Sequence, residues 1–423
     1  MQKVLFIGVH WPEPSTGAGT RLMQLIQFFL SNNYQVIFAS TASESELSYD
    51  LSAVKVKKVQ IELNNSSFDT FVSDLAPNIV VFDRFITEEQ FGWRVAEYAP
   101  NALRMLDTED LHSLRATRFE AFKNSLPFTM DLWLENDTTK REIASIYRCD
   151  MSLIISSFEM TLLKDIVKID GDLLLHLPFM IEDVTKEEIV KYPSFEVRKD
   201  FIFVGNGKHI PNVDAIKWLK TAIWPLIHKQ LPESKLYIYG AYLPQQVLEM
   251  HQPQQGFYIS GYVKDLQSTF TTARINLAPL RFGAGQKGKL LDAMRFGTPS
   301  ITTTIGVEGM ITDLPFNGKI ADDETEFAKV AVALYNDKDQ FLSAQQNGFE
   351  IVHTDFSANE LSKKLLKTIN QIQSDLKKHR STNFIGSLLR HQTLQSTKYM
   401  SRWIEEKNNR VKWLKSNVER KKL

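Results

Sequence analysis

The strongest constraint on this chain is a kind of strand it uses repeatedly, short and predominantly apolar, with no polar alternation. KVLFIGV (3–9), QVIFAS (35–40), NIVVFD (78–83), LRMLD (103–107) and SLIISS (152–157) are of this kind. A strand without a polar face must be covered on both sides, which is the habit of parallel sheets flanked by helices. Segments of helical period lie between them. RLMQLIQFFLSN places Leu22, Leu25, Ile26 and Phe29 on one face; EEQFGWRVAEYA and TTKREIASIYR follow the same rule. Strand–helix alternation predicts a doubly wound α/β architecture. The pattern restarts at Asp200, with FIFVG (201–205) and the long helical stretch NVDAIKWLKTAIWPLIHKQ, interrupted at Pro225. KLYIYG, GFYIS, INLAP and SITTT then read as strands. The expectation is two Rossmann-like units, residues 1–185 and 200–375, with a polar linker at 186–199 and a basic helical tail at 376–423. Open sheets of this kind bind ligands beyond the carboxyl ends of their strands. Two of them face to face would enclose a cleft.

The most chemically specific stretch is PLRFGAGQKGKLLDAMRFGTPSITTTIGVEGM, from Pro279 to Met310. A short apolar strand runs into a Gly-rich loop, and a helix follows. Gly283 and Gly285, with Ala284 between them, permit close approach of the backbone. The first turn of the next helix leaves N–H groups without intrahelical partners, and these form an anion site. Lys287 and Lys289 add charge there. Asp292, three residues on from Lys289, shares its helix face and can accept hydrogen bonds from ribose hydroxyls. Phosphate plus sugar diol points to a nucleotide. Gly283, Gly285 and Gly288 also spell G-x-G-x-x-G, with Glu308 about 20 residues on, as in a redox dinucleotide site. That fit is poorer. The motif lies deep in the chain, and Arg281 and Phe282 separate strand from glycine.

The first half offers a second set of polar strand ends. Gly17 and Gly19, with Arg21 at the start of a helix, can approach donor phosphates across a cleft. Asp83 ends one strand. DTEDLHSLR crowds Asp107, Glu109, Asp110, His112 and Arg115 just past another. His112 is the residue type that polarises a hydroxyl.

Composition narrows the class further. The 423 residues carry equal numbers of acidic and basic side chains, so the whole molecule has no pull toward nucleic acid. The charge is unevenly placed, because residues 376–423 hold 13 Lys/Arg against 3 Asp/Glu. Tyr399, Trp403, Ile404, Val411 and Trp413 are interleaved with that charge. The tail is therefore either a helix packed on the body with a solvated basic face or a helix that contacts an anionic membrane surface. A single cysteine, Cys149, forbids an intrachain disulfide. MQKVLFIGV starts a strand at once, with no signal-peptide pattern. The expected location is the cytoplasm, with peripheral contact at the inner membrane face through the tail. Asp170-Gly171-Asp172 looks like a metal–nucleotide D-x-D, but Asp-Gly is a turn dipeptide and a turn is the better reading. No spacing suggests a metal site, and no bound cofactor is expected.

FVGNGKHIPNVDAIKWL (203–219) and the Pro279–Met310 segment resemble the C-terminal domain of group 1, family-4-like glycosyltransferases. These are retaining enzymes of the GT-B fold that use nucleotide sugars. The resemblance covers roughly residues 1–375 in layout, and the tail lies outside it. It implies a nucleotide-sugar donor held by the second unit and a glycan, lipid-linked or protein acceptor brought by the first. Lys208 would lie against the diphosphate, in a loop that offers Asn206 and Gly207 where relatives often have an arginine a few residues earlier; Gly205 and Asn206 are donor-side candidates there. Gly261 and Val263 would bound the loop that contacts the base. Lys208 and Lys289 would stabilise the leaving group without a metal, and His112 would contact the reacting sugar. Gly17, Gly19, Arg21, Gly283, Ala284, Gly285, Lys287, Asp292 and Glu308 are the remaining donor-side candidates. Asp83, Asp107, Asp110 and Arg115 are those of the acceptor side. The family commonly shows Glu, seven residues, then Glu. Asp292 fits the second, and Ala284 stands where the first would be. The alternatives are a non-catalytic subunit of the same fold and a nucleotide-sugar isomerase.

Overall fold

The computed structural model describes residues 1–311 and 313–420. Strands β1 (Lys3–Gly8), β2 (Gln35–Ser40), β3 (Lys57–Gln60), β4 (Ile79–Asp83), β5 (Leu103–Asp107), β6 (Met151–Ile154) and β7 (Leu174–His176) form one sheet in the order β3-β2-β1-β4-β5-β6-β7. All its pairings are parallel. Alternate residues feed opposite faces, as the pleat requires. Val4, Phe6, Val36 and Phe38 join one core cluster, while Leu5, Ile7, Ile37 and Ala39 join another. Strands β8 (Lys199–Val204), β9 (Leu236–Tyr239), β10 (Phe257–Gly261), β11 (Ala273–Ala278), β12 (Ser300–Thr302) and β13 (Gly318–Ile320) form a second parallel sheet, in the order β10-β9-β8-β11-β12-β13. The architecture is thus the expected pair of parallel-sheet units. β3 and β13 escape a reading by apolar runs because both are short edge strands with few core positions.

The helices that matter for the site are α1 (Gly17–Ser31), α2 (Arg84–Tyr98), α3 (His112–Lys123), α4 (Asp137–Arg148), α5 (Ile210–Trp218) and α6 (Gly288–Arg295). Beyond α5 the chain passes through a π-helical turn, Leu219–Ile223, and restarts as a helix at Trp224, with Pro225 in its first turn. Proline lacks the N–H an uninterrupted helix would need there. Asp170 accepts a hydrogen bond from the Asp172 backbone and caps a short turn, so the D-x-D is a local cap. Cys149 is fully buried at the end of α4, and burial pushes its thiol well up.

Two further helices close the molecule. In α7 (Ala358–Ser374), Leu365, Ile369 and Ile372 enter the core of the first sheet. The sequence grouping 200–375 therefore includes one helix packed on the other unit. The chain crosses between units twice, and the crossings touch: Ile181 N–H donates to Phe356 O at 2.8 Å, and Ala358 N–H donates to Ile181 O at 2.9 Å. The tail helix α8 (Phe384–Arg420) lies against α2 and α4. Asn383 Nδ2 donates to Tyr147 O at 2.7 Å, Lys398 pairs with Glu97 at 2.5 Å, and Glu405 accepts from the Ser66 N–H at 2.7 Å. The tail is packed on the body, as one of its two readings holds. Among the described residues, no helix is long and apolar enough to cross a membrane.

Candidate active site

Each sheet has one place where the strand order reverses, and there the connections leave on opposite faces and open a crevice. In the first sheet it lies between β1 and β4, in the second between β8 and β11. The two crevices face one cavity of about 840 Å³. His10, Asp83, Arg84 and His112 line it from the first unit, and Asn206, Lys208 and His209 line it from the second.

On the second side, Asn212 ties the two crevice loops together. Its amide donates to Asn206 O at 3.0 Å, and its side-chain oxygen accepts from Lys289 Nζ at 2.6 Å. Gly205 leaves room for it, since a Cβ there would sit 2.7 Å from Asn212 Cγ. Lys289 also lies 4.0 Å above the Phe203 ring. Burial in these surroundings lowers its ammonium to about 7. One turn on along α6, burial raises the Asp292 carboxyl to about 7. Neither group has an ion-pair partner among the described residues. Lys208 is exposed, with its ammonium 3.6 Å above the Tyr242 ring. A second hollow, of about 610 Å³, is lined by Gly261 and Tyr262 together with Ser45–Leu47 of the first unit. Val263 follows in the chain but is not among its lining residues.

The glycine loop is engaged differently from the sequence expectation. Arg118 of α3 grips Glu308 through two hydrogen bonds, at 2.7 and 2.9 Å, and donates to Gly283 O at 2.8 Å. Glu308, singled out with the donor-side groups, is held in an ion pair between the units. The Gly285 N–H donates to Glu159 Oε1 at 2.7 Å, and Ala284 packs against the first unit's core. Gly285 adopts φ +64°, and a Cβ on it would lie 2.7 Å from Asp110 Cβ. The Lys287 ammonium is buried and donates to Gly285 O at 2.7 Å. In this closed arrangement Gly283, Ala284, Gly285 and Lys287 seal the interface between the units. Lys289 and Asp292 of α6 take no part in that seal, and neither is among the residues lining the 840 Å³ cavity.

On the first side, Arg21 and Asp107 are fully buried and paired at 3.4 Å, and Arg21 Nη1 donates to Pro178 O. They brace the sheet and do not line the cavity. Gly17 opens α1, and the Gly19 N–H is taken by the Thr16 hydroxyl cap. Asp83 bridges the crevice by accepting from the Val9 N–H at 3.1 Å. Asp110 holds Arg115 at 2.8 Å and His112 Nε2 at 3.3 Å. Burial alone would raise the Asp110 carboxyl, but Arg115 and His112 outweigh it and hold it at about 2. Burial lowers the His112 imidazole to about 4, so it is neutral near pH 7.

Three functional positions escaped the sequence reading. Glu142 of α4 caps α3, accepting from the His112 N–H at 2.9 Å and the Ser113 hydroxyl at 2.6 Å, and so positions His112. His209 precedes α5 and feels the charges of Asp110 and Arg115 across the cleft and of Lys289 on its own unit; desolvation in the cleft lowers it to about 4. Arg84 follows β4 with φ +69°. Only its place at a strand end hinted at a role.

Comparison with known proteins accords with this geometry. Residues 198–337 match the family model described as glycosyl transferases group 1. An uncharacterized 44.6 kDa protein of the cps region of Klebsiella pneumoniae is 26% identical over 186 residues, covering 42% of this chain and 48% of that protein. The chain thus matches about half the length of that relative. Among solved structures, sucrose-phosphate synthase from Thermosynechococcus elongatus superposes with a TM-score of 0.68 at 14% identity, covering 88% of this chain and all of the other. Pneumococcal O-GlcNAc transferase GtfA, solved with UDP and GlcNAc, gives a TM-score of 0.65 at 13% identity over 88% and 99% of the two chains. Anabaena HepE, solved with UDP and glucose, gives 0.64 at 11% over 88% and 100%. At these identities the likeness establishes the fold. The chain has the GT-B fold, and its segment 198–337 matches the model of the group 1 glycosyltransferases.

Proposed function

We propose that this protein is a glycosyltransferase that moves a sugar from a nucleotide-sugar donor to a glycan, lipid-linked or protein acceptor, with retention of anomeric configuration and without a metal. The observation that carries the reading is the state of Lys289 and Asp292. Each is a half-buried charged group with its proton affinity pushed toward neutrality and no ion-pair partner among the described residues. A diphosphate would hold the lysine charged, and ribose hydroxyls would donate to the carboxylate. The UDP-bound neighbours of the same fold support a nucleoside diphosphate as the ligand class.

In this reading Lys208, Lys289 and the N-termini of α5 and α6 stabilise charge developing on the leaving diphosphate. The bond from the anomeric carbon to the phosphate oxygen breaks as the acceptor oxygen attacks the same face. The acceptor proton passes to the departing phosphate oxygen. Neutral His112, oriented by Asp110 and by Glu142 beneath its backbone, contacts a sugar hydroxyl. The tail supplies membrane contact, supported by exposed Tyr399, Met400 and Trp403 among its cations.

Thermal shifts against UDP, GDP, ADP, CMP and NAD test the donor assignment. A rise in melting temperature with one nucleoside diphosphate, lost in Lys289→Ala/Asp292→Ala, is the expected result. A rise with NAD alone, or with nothing, overturns it.

A further inference from the structure

The transferase reading leaves the acceptor's chemistry open, and the first unit's crevice bears on it. Arg84 stands at the carboxyl end of β4, at the switch point where this sheet opens toward the cleft. Its backbone has φ +69°. A non-glycine residue held there is strained, and such strain collects at functional positions. The side chain lies over a floor of acids: Asp83, Asp107, Glu109 and Asp110 all favour its charge. Its Nε sits 3.2 Å from Asp83 Oδ1, yet no hydrogen bond to the protein engages any of its N–H groups among the described residues. Nε is therefore ion-paired with Asp83, and the two Nη groups carry no hydrogen bond to the described residues.

The surrounding wall sharpens the point. The permanent cations lining the cavity are Arg84, Arg115, Arg141 and Lys208, against the carboxylates Glu13 and Asp83. Arg115 is engaged by Asp110 and Arg141 by Glu89. Lys208 stands on the donor side of the cleft. Arg84 is paired through Nε with Asp83, which leaves its Nη groups as the unused donors on the acceptor side, and the aromatic side chains Phe85 and Phe119 lie along the same wall. Aromatic faces with an adjacent forked cation suit a sugar ring that carries an anionic group.

We propose that the acceptor is anionic, bearing a carboxylate or phosphate near the hydroxyl that receives the sugar, and that Arg84 receives this group. The proposal rests on the transferase reading for the word acceptor. The anion site itself stands on Arg84 and its surroundings.

The test titrates full-length protein, saturated with the nucleoside diphosphate that stabilises it, and follows binding by saturation-transfer NMR. The probes are a glucuronate-containing tetrasaccharide, glycerol 1-phosphate and neutral cellotetraose. The expected result is that one charged probe binds at least about tenfold more tightly than cellotetraose. Whichever charged probe wins identifies the anion as carboxylate or phosphate. Arg84→Gln should abolish the preference, and Arg84→Lys should keep part of it. Arg84→Gly should also abolish it while keeping or raising the melting temperature, since glycine relieves the backbone. Equal binding of charged and neutral probes, binding of none, or a preference that survives Arg84→Gln would overturn the proposal. So would an Arg84→Gln variant that loses nucleotide affinity by the same factor, since that would put Arg84 on the donor phosphates. If no nucleotide shifts the melting temperature, the transferase reading falls, and the same titration on the free protein judges the anion site separately.

Discussion

The two walls of the cleft solve the problem of charge in opposite ways. The second unit presents few charges and leaves them unmatched: Lys208, Lys289 and Asp292 have no ion-pair partners among the described residues. The first unit is dense with charge and cross-braced, with Arg21 on Asp107, Arg115 on Asp110 and Arg148 on Glu88. Unmatched half-buried charge is costly unless a ligand completes it. The second wall is therefore unfinished without its ligand. The first wall is finished in itself and offers mainly Arg84. A site for one constant group needs only a few poised charges, whereas a site that must choose among acceptors needs a rigid frame.

This contrast can be broken experimentally. The largest effect should come from Lys289→Ala, which removes the poised charge. Turnover should fall about 10²–10³-fold, as when one preorganised donor is lost, with the melting temperature little changed; a loss below tenfold would place leaving-group stabilisation elsewhere. Next is Arg118→Ala at the junction of the walls. Glu308 would be left partly buried without its partner, at a cost of about 3 kcal/mol in urea unfolding. A change under about 1 kcal/mol would mean that the ion pair merely accompanies closure.

A smaller effect sharpens the donor side. In an Asp292→Asn background Lys289 is the group left to titrate near neutrality on α6. Diphosphate binding needs it protonated, so affinity is full below about 7 and declines as pH rises through that value. Calorimetry between pH 7 and 9 should show a fall of up to about tenfold per unit, and the slope should vanish when Lys289→Ala is added. The smallest effect should be at the tail. Tyr399→Ser/Met400→Ser/Trp403→Ser should roughly halve sedimentation with vesicles of one-third anionic lipid; equal sedimentation would remove the membrane from the list of partners.

The same contrast explains what could be read in advance. The donor wall lies in two contiguous motifs, so Lys208 in one, and Lys289 and Asp292 in the other, were singled out from local strand, loop and helix signals. The acceptor wall is assembled from distant segments. Arg118 meets Gly283 from 165 positions away and Glu308 from 190, and no local pattern announces such a pairing. Glu308 was singled out by its spacing from the glycines, while its partner Arg118 is visible only in three dimensions. Arg84 was passed over because a positive φ leaves no trace in residue type. The crossing of α7 was hidden too, since an amphipathic helix does not state which sheet it covers.

That crossing has a consequence for the integrity of the chain. The segment from residue 182 to 197 is the largely exposed way out of the first unit, with Val190 84% exposed. A protease that cuts there severs the backbone between the two sheets. The fragments should nevertheless stay together through gel filtration, because the second carries Leu365, Ile369 and Ile372 as part of the first one's interior. The protein is interlocked as well as linked, so its two halves should be expressible as separate polypeptides that find each other.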